Sequence, residues 1–504
     1  LNSFAVCTYD MFYKGLLFSV SLFLLICIQF RNMSTTQKIH INTSRKTLLA
    51  DTMTPIGLFL KIRKNFKNSV ILESADYHGR EHGFSHIAFE PIASFTLDQS
   101  VVVQKFPDGS EERFVLASRQ QAISALKNFS DRFAFTKEAG DSPMANGLFG
   151  HISYDAVQYF EDIEIRGKSK ETEIPSIRYF VYRYVLAFNH FNNQLAYYSH
   201  TYDGSEPSFD AILNAIDQPA EALGKFQRQG EELSNLTEDQ TREIVHTCIK
   251  HCLRGDVFQI VPSRRFSQNY QGDDFQVYRA LRSVNPSPYL FYFDYEEYRI
   301  FGASPEKQIK IDGDLAEIHP IAGTFRRSGD DARDAELAQA LIADPKESAE
   351  HVMLVDLARN DLSRSAENVK VETFKEVQFF SHVIHLVSKV TGHMQKGVNS
   401  LQLVADTFPA GTLSGAPKHN AMTIINRLEP TNRAIYGGAI GFMDFEGNFN
   451  HAIAIRTFLS KGQTLFFQAG MGVVAKSVVA SEMQEIHNKL AALRRALEVA
   501  ETLS

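Results

Sequence analysis

From about residue 68 to 200, short runs rich in β-branched and aromatic residues recur with turn residues between them: VILES, SVVVQKF, ERFVLA, GLFGHISY, SIRYFVYRYVLAF and QLAYYSH. That rhythm is the signature of successive strands. After residue 236, strands and helices mix without the strand–helix–strand alternation that a parallel sheet requires. VFQIVP, PYLFYF, RIFGA and AEIHPI read as strands, as do 435–443, 451–458 and 464–474. Segments near 334–343, 346–359 and 417–428 read as helices. A last helix is expected from about 481 to 502, with Met483, Ile486, Leu490, Leu493 and Leu497 on its buried face. There is no internal repeat. The pattern predicts an α+β fold of large antiparallel sheets flanked by helices.

A polar stretch from 203 to 235 holds one amphipathic piece, FDAILNAI, and reads as a connection between domains. Beyond it, Thr237 and Gln240 form a capping-box pattern, and Gly255 can end the helix they start. We therefore expect an N-terminal domain over 33–225 and a second domain over 236–504. The apolar run at 15–30, GLLFSVSLFLLICIQF, is short for a membrane span and lacks a small-residue cleavage site. The chain reads as an ordinary start from Met33, so residues 1–32 are expected to be an upstream extension foreign to the native protein. Net charge is −7, which argues against nucleic acid or an anionic membrane as the main partner. Of the four cysteines, Cys7 and Cys27 lie in that extension. Cys248 and Cys252 share a helical face with Ile244, as small core residues do.

The chemistry-bearing pattern is one of carboxylates. In AEHVMLVDLARNDL (349–362), acidic groups flank an apolar helix core, where unpaired charge is costly. Glu347 and Glu350 lie three apart on one helical face; Glu482 and Glu485 repeat that spacing, with Lys489 four further on. Two such helices could clasp a hard divalent cation such as Mg²⁺ or Mn²⁺. On spacing alone a solvated helix face is the favoured reading of both pairs. Glycines punctuate the apolar strands at AGMG (469–472) and YGGAIG (436–441), and GTLSGAP (411–417) precedes a helix, but none completes a phosphate-binding loop. Arg456, in HAIAIRTF, either faces inward and needs a carboxylate or outward and is solvated. Strand alternation does not decide.

Taken together, GDVFQIVPSRRF (255–266), FGASPE (301–306), PIAGT (320–324), KESAEHVMLVDLARNDL (346–362), SHVIHLVSKVTG (381–392), GTLSGAPK (411–418), IYGGAIGF (435–442), AIAIRTF (452–458) and AGMGVVAKS (469–477) resemble the chorismate-utilising enzymes. Among these they resemble the large, synthase-subunit family of the anthranilate synthases. The resemblance implies a cytoplasmic, Mg²⁺-dependent lyase of tryptophan biosynthesis, acting on chorismate. It implies Glu350 and Glu485 as Mg²⁺ ligands, with Glu347 and Glu482 auxiliary. It places Gly323, Thr324, Tyr436, Arg456, Gly470, Gly472 and Lys489 around the substrate. Glu306 is the implied acid at the leaving hydroxyl, Thr412 lines the site, and His385 is the implied base.

Two positions sort the relatives. Isochorismate-forming relatives carry lysine where this chain has Gln259, so water is not the expected nucleophile. Aminodeoxychorismate synthases carry lysine where this chain has Ala322, so ammonia is expected to attack directly. The alternatives weighed are an aminodeoxychorismate synthase and a catalytically silent tryptophan-binding module. The chain shows no G-x-C-x-G glutaminase elbow, so the resemblance implies a separate glutamine amidotransferase subunit as partner. ILESAD (71–76) and NPSPYLF (285–291) resemble the family's feedback site, implying that Glu73, Ser74, Pro288 and Tyr289 bind tryptophan.

Overall fold

The computed structural model describes residues 38–74, 83–136, 142, 144–167, 169–220, 223–379 and 383–503. The extension 1–32, with its apolar run, and Ala75 and Asp76 of the feedback motif lie outside the described residues. Among the described residues, no helix is long and apolar enough to cross a membrane.

Two antiparallel sheets share a pair of long strands, Phe84–Asp98 and Ile177–Asn189. Both strands change sheet midway. Glu90 adopts φ 60°, and the register shifts between Pro91 and Ala93, a bulge that bends the ribbon. The first sheet continues from Val70–Glu73 through Tyr289–Asp294, Tyr298–Ser304, Thr457–Lys461 and Thr464–Gly470 to Ser263–Gly272. The second continues from Gly147–Ile152 through Ala439–Asp444, Phe449–Ile453, Lys307–Asp312 and Leu315–Ile318 to Val383–Met394. Strands from before and after residue 225 thus pair directly in both sheets.

The alternation of side chains explains the layering. In Tyr289–Asp294, Phe291 and Phe293 enter a core shared with Phe149, Tyr182, Ile440 and Leu459 of both sheets. Leu290 and Tyr292 face the other way, into a core formed with the helices Glu238–Leu253, Phe275–Val284 and Val479–Ala500. On the second sheet, Leu148 and Ile152 pack outward toward Gln121–Asp131, Ser400–Thr407 and Pro345–Ser363. Strands buried on both faces read as continuous apolar runs, which is why they stood out in the sequence. The α+β expectation holds, as does the capping box at Thr237, where the side chain and the Gln240 side chain each bond the other's backbone.

The supposed linker is a correction. Residues 226–234 are not a connection but the strand Phe226–Ser234, paired with Ser263–Gly272. It is an edge strand whose residues are mostly exposed, so it carries no apolar alternation to betray it.

Candidate active site

The site lies where two neighbouring strands leave the first sheet for the second. The chain passes from Tyr298–Ser304 to Lys307–Asp312 through Pro305 and Glu306, and returns from Phe449–Ile453 to Thr457–Lys461 through Ala454, Ile455 and Arg456. The crossings are pinned together: the Ile453 N–H donates to the Glu306 carbonyl at 3.0 Å, and the Ala303 N–H to the Arg456 carbonyl at 3.1 Å. Arg456 adopts φ 51° here.

Glu306 accepts a hydrogen bond from Thr412 Oγ1 at 2.9 Å. Burial pushes its carboxyl up to about 7, opposed by the Thr412 hydroxyl and by the nearby Lys489 cation. Lys489 Nζ bonds the Gly470 carbonyl at 2.9 Å and Glu485 Oε1 at 2.5 Å. Arg456 points inward, buried near the Glu485 carboxylate. Its Nη1 donates to the Lys489 carbonyl at 2.6 Å, while Tyr436 and Glu485 lie close enough to support its charge against burial. A Cβ on Gly470 would stand 3.0 Å from the Tyr436 hydroxyl, so the backbone there runs close beside it.

His385 faces the same region: burial lowers its pKa, and the nearby Arg456 cation adds to the effect. Its Nδ1 donates to the Gly323 carbonyl at 2.9 Å, so the ring's lone pair sits on Nε2. Thr324 is the backbone partner of His385 across the strand pair; its side chain lies outside the described residues. Gly323 also abuts the acidic helix: a Cβ there would stand 3.3 Å from Glu347 Oε2.

Glu350, on Pro345–Ser363, accepts from Gln259 Nε2 at 3.0 Å. A Cβ on Gly472 would lie 2.9 Å from that amide and 3.6 Å from Glu350 Oε1. The carboxylates of Glu350 and Glu485, from two helices, thus flank the Gly470–Gly472 segment. Glu482 is buried one turn before Glu485. Among the described residues, no three acidic, imidazole or thiol groups gather tightly enough to hold a metal unaided. All-oxygen donors from two helices nevertheless match a hard cation that takes further ligands from substrate and water.

Residues 68–495 match the family described as chorismate binding enzyme. The chain belongs to the chorismate-binding enzymes. Among curated members of that family, anthranilate synthase component 1 of Aquifex aeolicus is 34% identical over 476 residues, covering 90% of this chain and 94% of that protein. The protein of the same name from Bacillus subtilis is 33% identical, covering 91% and 92%. The crystal structure of anthranilate synthase component I from Streptococcus pneumoniae superposes with a TM-score of 0.69 at 30% identity, over 89% of this chain and 99% of that one. The menaquinone-specific isochorismate synthase of Escherichia coli, 18% identical, shares the fold with a TM-score of 0.66.

The structure therefore gathers Glu306, Gly323, Glu347, Glu350, His385, Thr412, Tyr436, Arg456, Gly470, Gly472, Glu485 and Lys489 in one region. The hydrogen bond from Gln259 to Glu350 spans 91 positions and was not visible in the sequence. Glu73, Ser74, Pro288 and Tyr289, the four residues expected to bind tryptophan, meet elsewhere. Leu290 is paired with Glu73, which brings Tyr289 and Pro288 beside Glu73 and Ser74. Glu73 is buried and accepts from Tyr278 Oη at 2.7 Å and Arg282 Nε at 3.0 Å. Tyr278 and Arg282 belong to Phe275–Val284, a helix the sequence reading did not identify.

Proposed function

We infer that the chain converts chorismate and ammonia to anthranilate, pyruvate and water, the entry reaction of tryptophan biosynthesis. The observation that carries this is a carboxyl raised to about 7 at Glu306, facing a site whose cations are Lys489 and Arg456. Ammonia must add at C2 of the ring as the C4 hydroxyl departs, and hydroxide leaves poorly without a proton. A carboxyl still protonated near neutrality supplies that proton; Thr412 orients it. The C2 proton must then go as pyruvate is eliminated. His385, with its lone pair fixed on Nε2 by the Gly323 carbonyl, takes it. Arg456, Lys489 and Tyr436 hold the substrate carboxylates, and Gly470 and Gly472 leave room for them.

Glu350 and Glu485 would hold Mg²⁺, with Glu347 and Glu482 behind them and a substrate carboxylate completing the set. Bound there, the ion supplies positive charge against the ring carboxylate, which reconciles a chain of net charge −7 with a dianionic substrate. Ala322, only 8% exposed, offers no nucleophile, so the amine comes from ammonia itself. At neutral pH ammonia is mostly ammonium, so a separate glutaminase subunit is the source we propose, in the cytoplasm. Tryptophan would bind at Glu73, Ser74, Pro288 and Tyr289 and inhibit. The segments 33–225 and 236–504 are the two proposed units of the chain, interleaved through shared sheets.

The test is anthranilate fluorescence from the chain beginning at Met33, given chorismate, Mg²⁺ and ammonium salt. A Mg²⁺-dependent signal is expected. Chorismate consumed without anthranilate would overturn the reading in favour of an aminodeoxychorismate synthase.

A further inference from the structure

The space beside Glu306 and Thr412 continues between the strand Lys307–Asp312 and the helix Pro345–Ser363, as a cavity of ≈ 30 Å³ also lined by Gln308, Leu354, Leu357 and Asp361. That is room for a water or two. Gln308 is 2% exposed, and neither its amide nitrogen nor its amide oxygen meets a hydrogen-bond partner among the described residues. A buried amide left in that condition is costly unless a small polar molecule satisfies it. Glu306 and Gln308 are two residues apart on extended chain. Across the cavity, Asp361 is fixed by Lys418 Nζ at 2.6 Å, and Lys418 also donates to the Thr407 carbonyl at 2.8 Å. Glu306, Gln308, Asp361 and the Thr412 hydroxyl together offer the two to four polar partners that a buried water takes.

We propose that this cavity is a water site that receives the oxygen leaving C4 and returns a proton to Glu306. The proposal rests on the anthranilate-forming reading above. In the step concerned, the C4–O bond breaks with its electron pair on oxygen, and the Glu306 proton converts that oxygen to water. The nitrogen joined to C2 sheds one proton as it becomes a neutral amine. That proton passes through cavity water to the Glu306 carboxylate, so the carboxyl is restored with no net proton gained or lost. Gln308 is a positioning residue: its amide anchors the water between Glu306 and Asp361.

The test is Gln308→Leu, which removes the unpaired amide, keeps side-chain bulk and is expected to fold. We expect kcat to fall about tenfold, with KM for chorismate and ammonia within about twofold, and the solvent deuterium isotope effect on kcat to rise. Gln308→Asn, which keeps an amide, should recover most of the rate. A Gln308→Leu enzyme with parental kcat and isotope effect would overturn the proposal. So would a raised ammonia KM with an unchanged isotope effect, which would make the cavity a passage for the nucleophile. A crystal structure of the parent chain gives a readout independent of turnover. Ordered water bridging Gln308 and Glu306 is expected, and a dry cavity would overturn the site even if anthranilate forms. A parent chain that forms no anthranilate yet holds that water would sink the functional reading and leave the water site standing.

Discussion

At the scale of single residues, Glu306 links stability to chemistry. Its carboxyl titrates near 4.5 when free and near 7 in the fold. Between those values the folded state binds more protons than the unfolded one, so stability falls as pH rises through that window and stays lower above it. Glu306→Gln should therefore stabilise the chain at pH 8 by up to about 3 kcal/mol and change little at pH 4. Thermal unfolding at the two pH values checks it. The same variant should lose on the order of 10²-fold or more in kcat, because the amide has no acidic proton to give. In the parent, kcat/KM at constant free ammonia should decline above about pH 7, and a flat profile would remove Glu306 from the acid role. The carboxylate pairs were legible in the sequence as spacings, and the family motifs named the rest. The direction of Arg456 was not. Alternation assigns faces only while a strand stays in one sheet, and Arg456, at φ 51°, stands where the strand leaves it. His385 was equally mute on composition alone. Its significance comes from a carbonyl 62 positions away.

At the scale of elements, Gly323 is the joint between the strand Ile321–Arg326 and the helices Asp331–Ala343 and Pro345–Ser363. Its φ is 72°, and a Cβ would stand 2.9 Å from Leu341 Cδ1 as well as 3.3 Å from Glu347 Oε2. Gly323→Ala combines left-handed strain with crowding that the Leu341 and Glu347 side chains must move to relieve. We expect about 1–3 kcal/mol of destabilisation, read as a lower denaturant midpoint. The carbonyl that orients His385 belongs to the same residue, so kcat should fall further than the stability loss alone explains. Elements with a strong period declared themselves in the sequence. The strand Phe226–Ser234 did not, because only one side of it is paired and most of its side chains meet solvent. The helix Phe275–Val284 carries an apolar stripe, yet its polar flanks and short length let it pass as connection.

At the scale of the molecule, the two sites share a ladder. Tyr289, on the wall of the proposed tryptophan site, is paired with Ser304, and the Glu306 N–H donates to Ser304 Oγ at 3.3 Å. Tryptophan binding that shifts the Tyr289 strand would move the support of the catalytic acid, and a coupling of about 1–3 kcal/mol would be typical. Glu73→Gln removes the charge that a tryptophan ammonium would seek beside Arg282. It should weaken tryptophan inhibition about tenfold or more while leaving the uninhibited rate within about twofold, as measured by anthranilate formation against tryptophan concentration. Inhibition that survives the change would take Glu73 out of that site. The interleaving of the sheets has another consequence, for synthesis. Gly147–Ile152 finds one of its two neighbours only in Ala439–Asp444. On a ribosome adding about 5–20 residues per second, that edge waits roughly 15–60 s for its partner. For that interval it is an open template for pairing with other chains, every residue of which the finished fold buries, so yield in the cell should depend on chaperones that shield nascent strands.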